Sequence, residues 1–432
     1  MATSDHAHCR LLLPLLVAGA MLAACDSPAT PDSNSRQTAP APSQTASFNT
    51  TSVTEPETGP FARIVEGQIG PGALYALYIP RSWNGDAIYY VHGIRDASAP
   101  VDLGNQGNFF AIRDVLGAQG YAIAYSSWSA NGLVVKDGAQ RVHQMRGILT
   151  SELHQPPARS FVLGSSLGGL VALDLLETFP EQYDGALMLC GMLGGLGMEG
   201  AYDWNVRVLF DLFYPGVWPG SPMSTPPDAP PVTVPQLTAA VEANPTPLFL
   251  IASLAQTPLA FRPLGNPLDT LSAAFDYLVG SLYTALSFSS TASLVFDLTH
   301  GHDFFDNTTT TYAPGTNPLL PASVLQPMVD FANAHVARYA ADPSAGNFFD
   351  HYYTPTGDIH MPVLTYHTNW DPVNPVFHED AFRAKVIAAG KAGNLLQRLY
   401  PAYGHCPIPV AVVTQSFQDM VNWVTTGVRP LN

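Results

Sequence analysis

Ser160–Gly164 (SFVLG) is a short apolar run that passes without a spacer through Gly164-Ser165-Ser166-Leu167-Gly168 into a helical pattern. There Leu167, Leu170, Val171 and Leu175 recur on one face up to Thr178. A buried strand that turns at once into a helix is half of a crossover connection, and crossovers join parallel strands. The flanking sequence carries the same alternation. Arg63–Ile69 and Ala73–Pro80 read as strands joined by a Gly-Pro-Gly turn, and Ala87–Gly93, Tyr121–Ser127 and Ala186–Cys190 as further apolar strands. Asn108–Ala118 and Asp137–Leu153 read as intervening helices. From residue 191 to residue 360 the alternation stops, and Pro-, Leu-, Phe- and Ala-rich sequence shows helical stretches without a strand period. It resumes with Pro362–Thr368 as a strand, Glu379–Ala389 as a helix and Leu395–Tyr400 as a strand. The expected fold class is α/β: one domain over residues 59–190 and 361–432, with a mostly parallel sheet and helices on both faces. A large, mainly helical insertion at 191–360 interrupts it.

Composition narrows the partners. Hydrophobic residues make up 47% of the 432 and charged residues 12%, about half the usual ~25% charged, so a disordered chain is excluded. The formal net charge is −16, and the insertion supplies most of it: fourteen acidic residues against three arginines (Arg207, Arg262, Arg338). A field of that sign repels phosphate backbones, which excludes a nucleic-acid partner. The lysine-free insertion also argues against strongly anionic substrates.

The turn at Gly164–Gly168 needs small residues flanking Ser166, hence the glycines two positions away on each side, and it holds the hydroxyl above the sheet at the positive end of a helix. A serine hydroxyl is a weak nucleophile near neutral pH; it needs a base, and the base needs a carboxylate to orient it. In this setting the chain order is Ser, then Asp or Glu, then His. Asp371 follows the strand Pro362–Thr368, and His405 follows the last strand. Both are expected at the C-terminal edge of the sheet with Ser166. Ser166 is thus the candidate nucleophile, His405 the general base and acid, and Asp371 its partner. His92-Gly93-Ile94 closes another strand, and the backbone N–H groups of Ile94 and Leu167 are candidate oxyanion donors, each worth ~2.7–4 kcal/mol. Singly, Asp371 reads equally as a turn residue before Pro372, His405 as a loop histidine, and His92-Gly93 as a strand end. Their order after the right elements is what favours the triad.

With these residues in place the chain resembles an α/β-hydrolase, through motifs at residues 87–190 and 361–432. The resemblance implies a Ser166–His405–Asp371 triad, oxyanion donors at Ile94 and Leu167, and a cap or lid at 191–360. Phe179–Cys190 (FPEQYDGALMLC) and Gly404-His405-Cys406 are also similar to secreted bacterial esterases of the feruloyl-esterase and tannase type. Those enzymes bond a cysteine just before the serine to one just after the histidine; here Cys406 fits, but Ser165 stands before Ser166. Cys190 and Cys406 therefore read either as a disulfide pinning the histidine loop or as two separate buried thiols.

At the N-terminus, Arg10 precedes the apolar or small residues Leu11–Ala24, too short a run to span a bilayer and suited to a signal peptide over residues 1–24. It ends Leu22-Ala23-Ala24-Cys25, which resembles a bacterial lipobox and implies lipidation of Cys25. Residues 25–58 are rich in Ser, Thr, Pro and Ala, with Phe48 as their only large apolar residue, and read as a flexible tether. The expected location is outside the cytoplasm, lipid-anchored at the bacterial cell envelope, on the periplasmic face or the cell surface.

The expected activity is a serine hydrolase acting on small or polymeric carboxylic esters with an apolar acyl or aromatic part, without metal or organic cofactor. His300-Gly301-His302-Asp303 lacks the second cluster a metal site needs. One alternative is an exported serine exopeptidase of the proline-type aminopeptidase kind, which binds a free amino group with acidic cap residues. Only Glu199 and Glu242 of the fourteen acids are glutamates. A noncatalytic binding lipoprotein is the other.

Overall fold

The computed structural model describes residues 51–431 except 107, 225–228, 259–270, 292–294, 296, 297 and 314–320. Its strands are β1 (Ser52–Thr54), β2 (Phe61–Ile69), β3 (Ala73–Pro80), β4 (Asp86–Val91), β5 (Ala122–Ser126), β6 (Arg159–Ser165), β7 (Gly185–Leu189), β8 (Val363–Trp370) and β9 (Leu395–Tyr403). They form one open sheet in the order β1-β2-β3-β5-β4-β6-β7-β8-β9. The first three are antiparallel, as is the β3–β5 pair; every other neighbouring pair is parallel. This is the mostly parallel sheet that the α/β-hydrolase resemblance implies.

Helices α1 (Phe109–Ala118), α2 (Val135–Leu153) and α3 (Leu167–Thr178) lie between strands of the sheet in sequence. Between β7 and β8 come α4 (Leu196–Phe213), α5 (Val234–Ala243), α6 (Thr246–Ala255), α7 (Leu271–Ser289), α8 (Ala322–His335) and α9 (Pro343–Tyr352). Then α10 (Phe377–Ala388) precedes β9, and α11 (Val410–Thr426) follows it.

β4, β5 and β7 are buried from end to end, as strands covered on both faces must be, so their sequences read as continuous apolar runs. Their side chains still alternate between two cores. Ile88 and Tyr90 of β4 pack with Phe109 and Leu116 of α1 and Phe417 and Met420 of α11. Ala87, Tyr89 and Val91 face the opposite way, onto α2 and α3, in a core that continues through α4 to α9 and α10. Full burial of such side chains stabilises by about 1.5–3 kcal/mol each. Inserting one residue in β4 would exchange its two faces.

The sheet order reverses at β4, whose neighbours β5 and β6 lie on opposite sides. Ligands of open α/β sheets bind beyond the C-terminal strand ends at such a reversal. β4 stops just before His92-Gly93, and β6 just before Ser166. At the far side, β8 and β9 run longer than their apolar cores suggest and stay paired as far as Trp370 and Tyr403, past an irregularity after Thr368. Asp371 and His405 therefore leave the sheet almost side by side.

One boundary needs correction. Within the stretch read as a flexible tether up to residue 58, Ser52–Thr54 pair with Ile64–Glu66 as β1. Backbone groups alone make that pairing, so the polar composition gives no sign of it. Residues 1–50, including the expected signal peptide and Cys25, lie outside the described residues. No helix among the described residues is long and apolar enough to cross a membrane.

Candidate active site

Ser166 joins β6 to α3 with φ 58° and ψ −128°, a backbone state that costs a non-glycine residue about 1–3 kcal/mol and persists only where its surroundings enforce it. The enforcement is visible. Ser166 N–H donates to Leu189 O at 2.9 Å, at the end of β7. A Cβ at position 168 would stand 2.2 Å from Val91 O and 2.4 Å from His92 O, so only glycine lets α3 begin against the end of β4. Leu167, the second candidate oxyanion donor, opens α3, where N–H groups have no carbonyl one turn back.

The loop after β4 lies against the serine. A Cβ on Gly93 would be 2.9 Å from Ser166 Cβ and 3.4 Å from its Oγ. Gln106 braces this loop from both sides: Gly93 N–H donates to Gln106 Oε1 (3.0 Å) and Gln106 Nε2 donates to Ile94 O (2.7 Å). Neither bond uses the Ile94 N–H. His92 is fully buried and stacked on Trp128 at 3.7 Å. Burial, and then the Arg95 charge, pull its pKa down to about 3, so the ring is neutral and Nδ1–H donates to Gly93 O at 2.6 Å. It shapes the loop and does not serve as a base.

On the other side of the edge, His405 Nδ1–H donates to Asp371 Oδ2 (2.8 Å) and also lies 3.0 Å from Oδ1. Asp371 is fully buried, and its Oδ1 accepts from Val373 N–H (2.9 Å) and Asn374 N–H (3.1 Å). With Nδ1 donating, Nε2 is left as the basic nitrogen. That atom is buried and makes no hydrogen bond with the described residues, Ser166 included; catalytic bonds of this kind commonly tighten only when substrate binds.

Two devices tie the histidine loop down. Thr368 Oγ1 donates to Gly404 O (2.8 Å), and Gly404 N–H donates to Trp370 O (3.0 Å). Cys190 and Cys406 form a disulfide, with Cα atoms 5.7 Å apart. Of the two readings left open by the sequence, the bridge is the one present. It runs from the residue after Leu189, which accepts the Ser166 N–H, to the residue after His405. Asn374 Nδ2 donates to Cys190 O at 2.8 Å, adding the aspartate turn to the same tie.

Behind Asp371 lies a buried cluster that no sequence motif announced. His367 of β8 meets Asn374 O through Nε2 (2.7 Å) and Glu379 Oε1 through Nδ1 (3.2 Å). His378 of α10 accepts Gly194 N–H at Nδ1 (2.9 Å) and donates from Nε2 to Glu199 Oε2 (2.6 Å). Burial first, and then the His367 charge, bring the His378 pKa down to about 3. Glu199 and Asp203 stand one turn apart on α4, both buried. Burial raises both carboxyl groups well above the usual range; the Asp371 charge adds to the shift at Glu199, and Glu199 to that at Asp203. Lone polar residues in a strand, helix or loop carry no period or spacing, so only the three-dimensional arrangement reveals Gln106, Glu199, Asp203, His367, His378 and Glu379.

His302, from the run His300–Asp303, pairs with Asp342 at the surface, Nδ1 to Oδ2 at 3.0 Å. Among the described residues no group of three or more His, Cys, Asp or Glu side chains could hold a metal ion.

No family model and no curated protein matches the chain. Among solved structures it is similar to an esterase from Aspergillus oryzae, at 14% identity and TM-score 0.47, over 85% of this chain and 80% of that one. It is similar to feruloyl esterase B from the same organism, at 14% identity and TM-score 0.47, over 85% and 82%. Brefeldin A esterase, a bacterial homologue of human hormone sensitive lipase, matches at 12% identity and TM-score 0.38, over 99% and 88%.

Proposed function

We propose that the chain is a serine carboxylic-ester hydrolase that works through an acyl-enzyme. The observation that carries this is the buried Asp371–His405 hydrogen bond, tied through the Cys190–Cys406 bridge to the strained turn bearing Ser166. In the reaction His405 Nε2 takes the Ser166 hydroxyl proton as Oγ attacks the ester carbonyl, and Asp371 steadies the resulting imidazolium. The Ile94 and Leu167 N–H groups hold the developing oxyanion. His405 then passes its proton to the leaving alcohol, and a water activated by the same nitrogen hydrolyses the acyl-serine. Residues 191–360 serve as a cap over this edge. The apolar lining that a cap core rich in aromatics provides suits an apolar acyl or aromatic group.

The test is hydrolysis of p-nitrophenyl esters from acetate to palmitate by the chain from Pro40 onward, which is one compact unit, beside Ser166→Ala. Turnover that vanishes in the variant is expected, and the preferred chain length sizes the pocket; turnover that survives in it contradicts the proposal. A serine exopeptidase is the second reading, favoured by Glu199 and Asp203 lying buried with Glu199 within electrostatic reach of His405. Cleavage of an aminoacyl-naphthylamide without cleavage of simple esters would select it.

The same proposal places the protein outside the cytoplasm, lipidated at Cys25. The disulfide supports an oxidising compartment. Palmitate labelling that persists in Cys25→Ala would contradict the anchor.

A further inference from the structure

We propose that His367 is a positioning residue for the Asp371–His405 pair: held by Glu379 on one side, its ring grips through Asn374 O the turn whose N–H groups bind Asp371. The inference rests on the triad reading above and extends it to a residue that touches neither substrate nor Ser166.

The hydrogen-bond partners point to a doubly protonated ring. Nε2 faces a carbonyl, Asn374 O at 2.7 Å, and a carbonyl can only accept. Nδ1 faces Glu379 Oε1 at 3.2 Å. The other oxygen of that carboxylate already accepts from Thr365 Oγ1 and Gln397 Nε2. With the shared proton on the ring and not on Glu379, both ring nitrogens donate and the ring is an imidazolium, which is the state proposed here. Electrostatics agree in direction. Burial pulls the His367 pKa down, but the Glu379 hydrogen bond and charge, the Asp371 charge and the Asn374 carbonyl outweigh it, leaving it above the ordinary histidine value.

The position gives this cation its consequence. His367 Nε2 is 3.6 Å from Asp371 Oδ2, while His405 Nδ1 is 2.8 Å from the same oxygen. Asp371 therefore lies between two imidazoles, that of His405 and that of His367, the second charged in the proposed state. The charged and titratable groups around it are Glu379 and the neutral His378 on α10, Asp371 and His405 in the edge loops, and Glu199 on α4. With His367 charged, Glu379 is balanced, and the His367 cation near Asp371 opposes a second positive charge on His405. With the ring charge removed, Glu379 and Asp371 would both favour protonated His405, which would hold its proton to higher pH and be a poorer base at neutral pH.

Two measurements test this. The first is ¹⁵N-histidine NMR of the wild-type protein at pH 7.5, which needs neither a variant nor a substrate. One histidine with both ring nitrogens protonated is expected; if all thirteen histidines read as neutral, the proposal fails. The second is His367→Gln, which keeps a donor near Asn374 O and removes the charge. Its His405 midpoint, followed by NMR and by the acidic limb of kcat/KM, is expected to rise by about 0.5–1 unit. Its kcat is expected to fall about tenfold with KM within about twofold, as for loss of an orienting partner. Adding Glu379→Gln should return the midpoint towards the wild-type value. A folded His367→Gln protein with wild-type midpoint and kcat, or a double variant that stays shifted, overturns the proposal. Lack of ester turnover in the wild-type protein would sink the esterase reading alone, because the NMR midpoints still decide the role of His367.

Discussion

The sheet edge and α4, the first helix of the insertion, both bury an aspartate, and they treat it in opposite ways. Asp371 is surrounded by donors: two backbone N–H groups, the His405 ring and, just beyond, His367. Asp203 on α4 has an oxygen with no hydrogen-bond partner among the described residues, next to Glu199 one turn away. A carboxylate held by that many donors is kept in place. A carboxyl group buried among acids is pushed towards its neutral form. The edge gives its aspartate donors, whereas α4 buries carboxyl groups at a cost in stability.

That contrast can be broken or sharpened by substitution. The largest effect is expected from Asp371→Asn, which preserves shape but removes the acceptor that sets the His405 tautomer. A fall of about 10⁴-fold in kcat on a p-nitrophenyl ester is expected; a loss under about tenfold would mean that Asp371 is only structural. Next comes the bridge that ties the edge together, closing a sequence separation of 216 residues. Chain entropy puts its loss at up to about 5 kcal/mol, so Cys190→Ser/Cys406→Ser should unfold at markedly lower denaturant. Unchanged midpoints would show that the histidine loop is held by hydrogen bonds alone. The smallest effect belongs to the cap. Asp203 has a folded pKa raised above its unfolded value, so stability is full below about pH 4 and is lost as pH rises towards the folded value. Asp203→Asn removes that loss. It should therefore raise Tm at pH 8, by the equivalent of about 1–2 kcal/mol, and leave Tm unchanged at pH 4. A lower Tm at pH 8 would mean that the Asp203 charge is stabilising, and the contrast with Asp371 would collapse.

What was legible in the sequence is what local turn chemistry and chain order specify. Gly164–Gly168 announces a tight strand–helix turn because no larger residue fits at 168 against Val91 O and His92 O. The apolar strands and the resumption at Pro362 follow from burial on both faces of the sheet. Asp371 and His405 could be singled out because each directly follows a strand. Features made by distant pairing were not legible. β1 depends on backbone bonds to Ile64–Glu66. The Cys190–Cys406 bridge depends on β7 and β9 flanking β8, with which both pair. His367 is one histidine in an apolar strand, and its partner Glu379 is one acid in a helix. Only the packing of α10 on β8 and β9 turns them into a pair.

The most direct test of the central claim is mass spectrometry of the protein after treatment with a fluorophosphonate. One adduct per chain is expected, on the peptide carrying Ser166, absent in Ser166→Ala and strongly slowed in Asp371→Asn. No adduct, or an adduct that persists in Ser166→Ala, would contradict it.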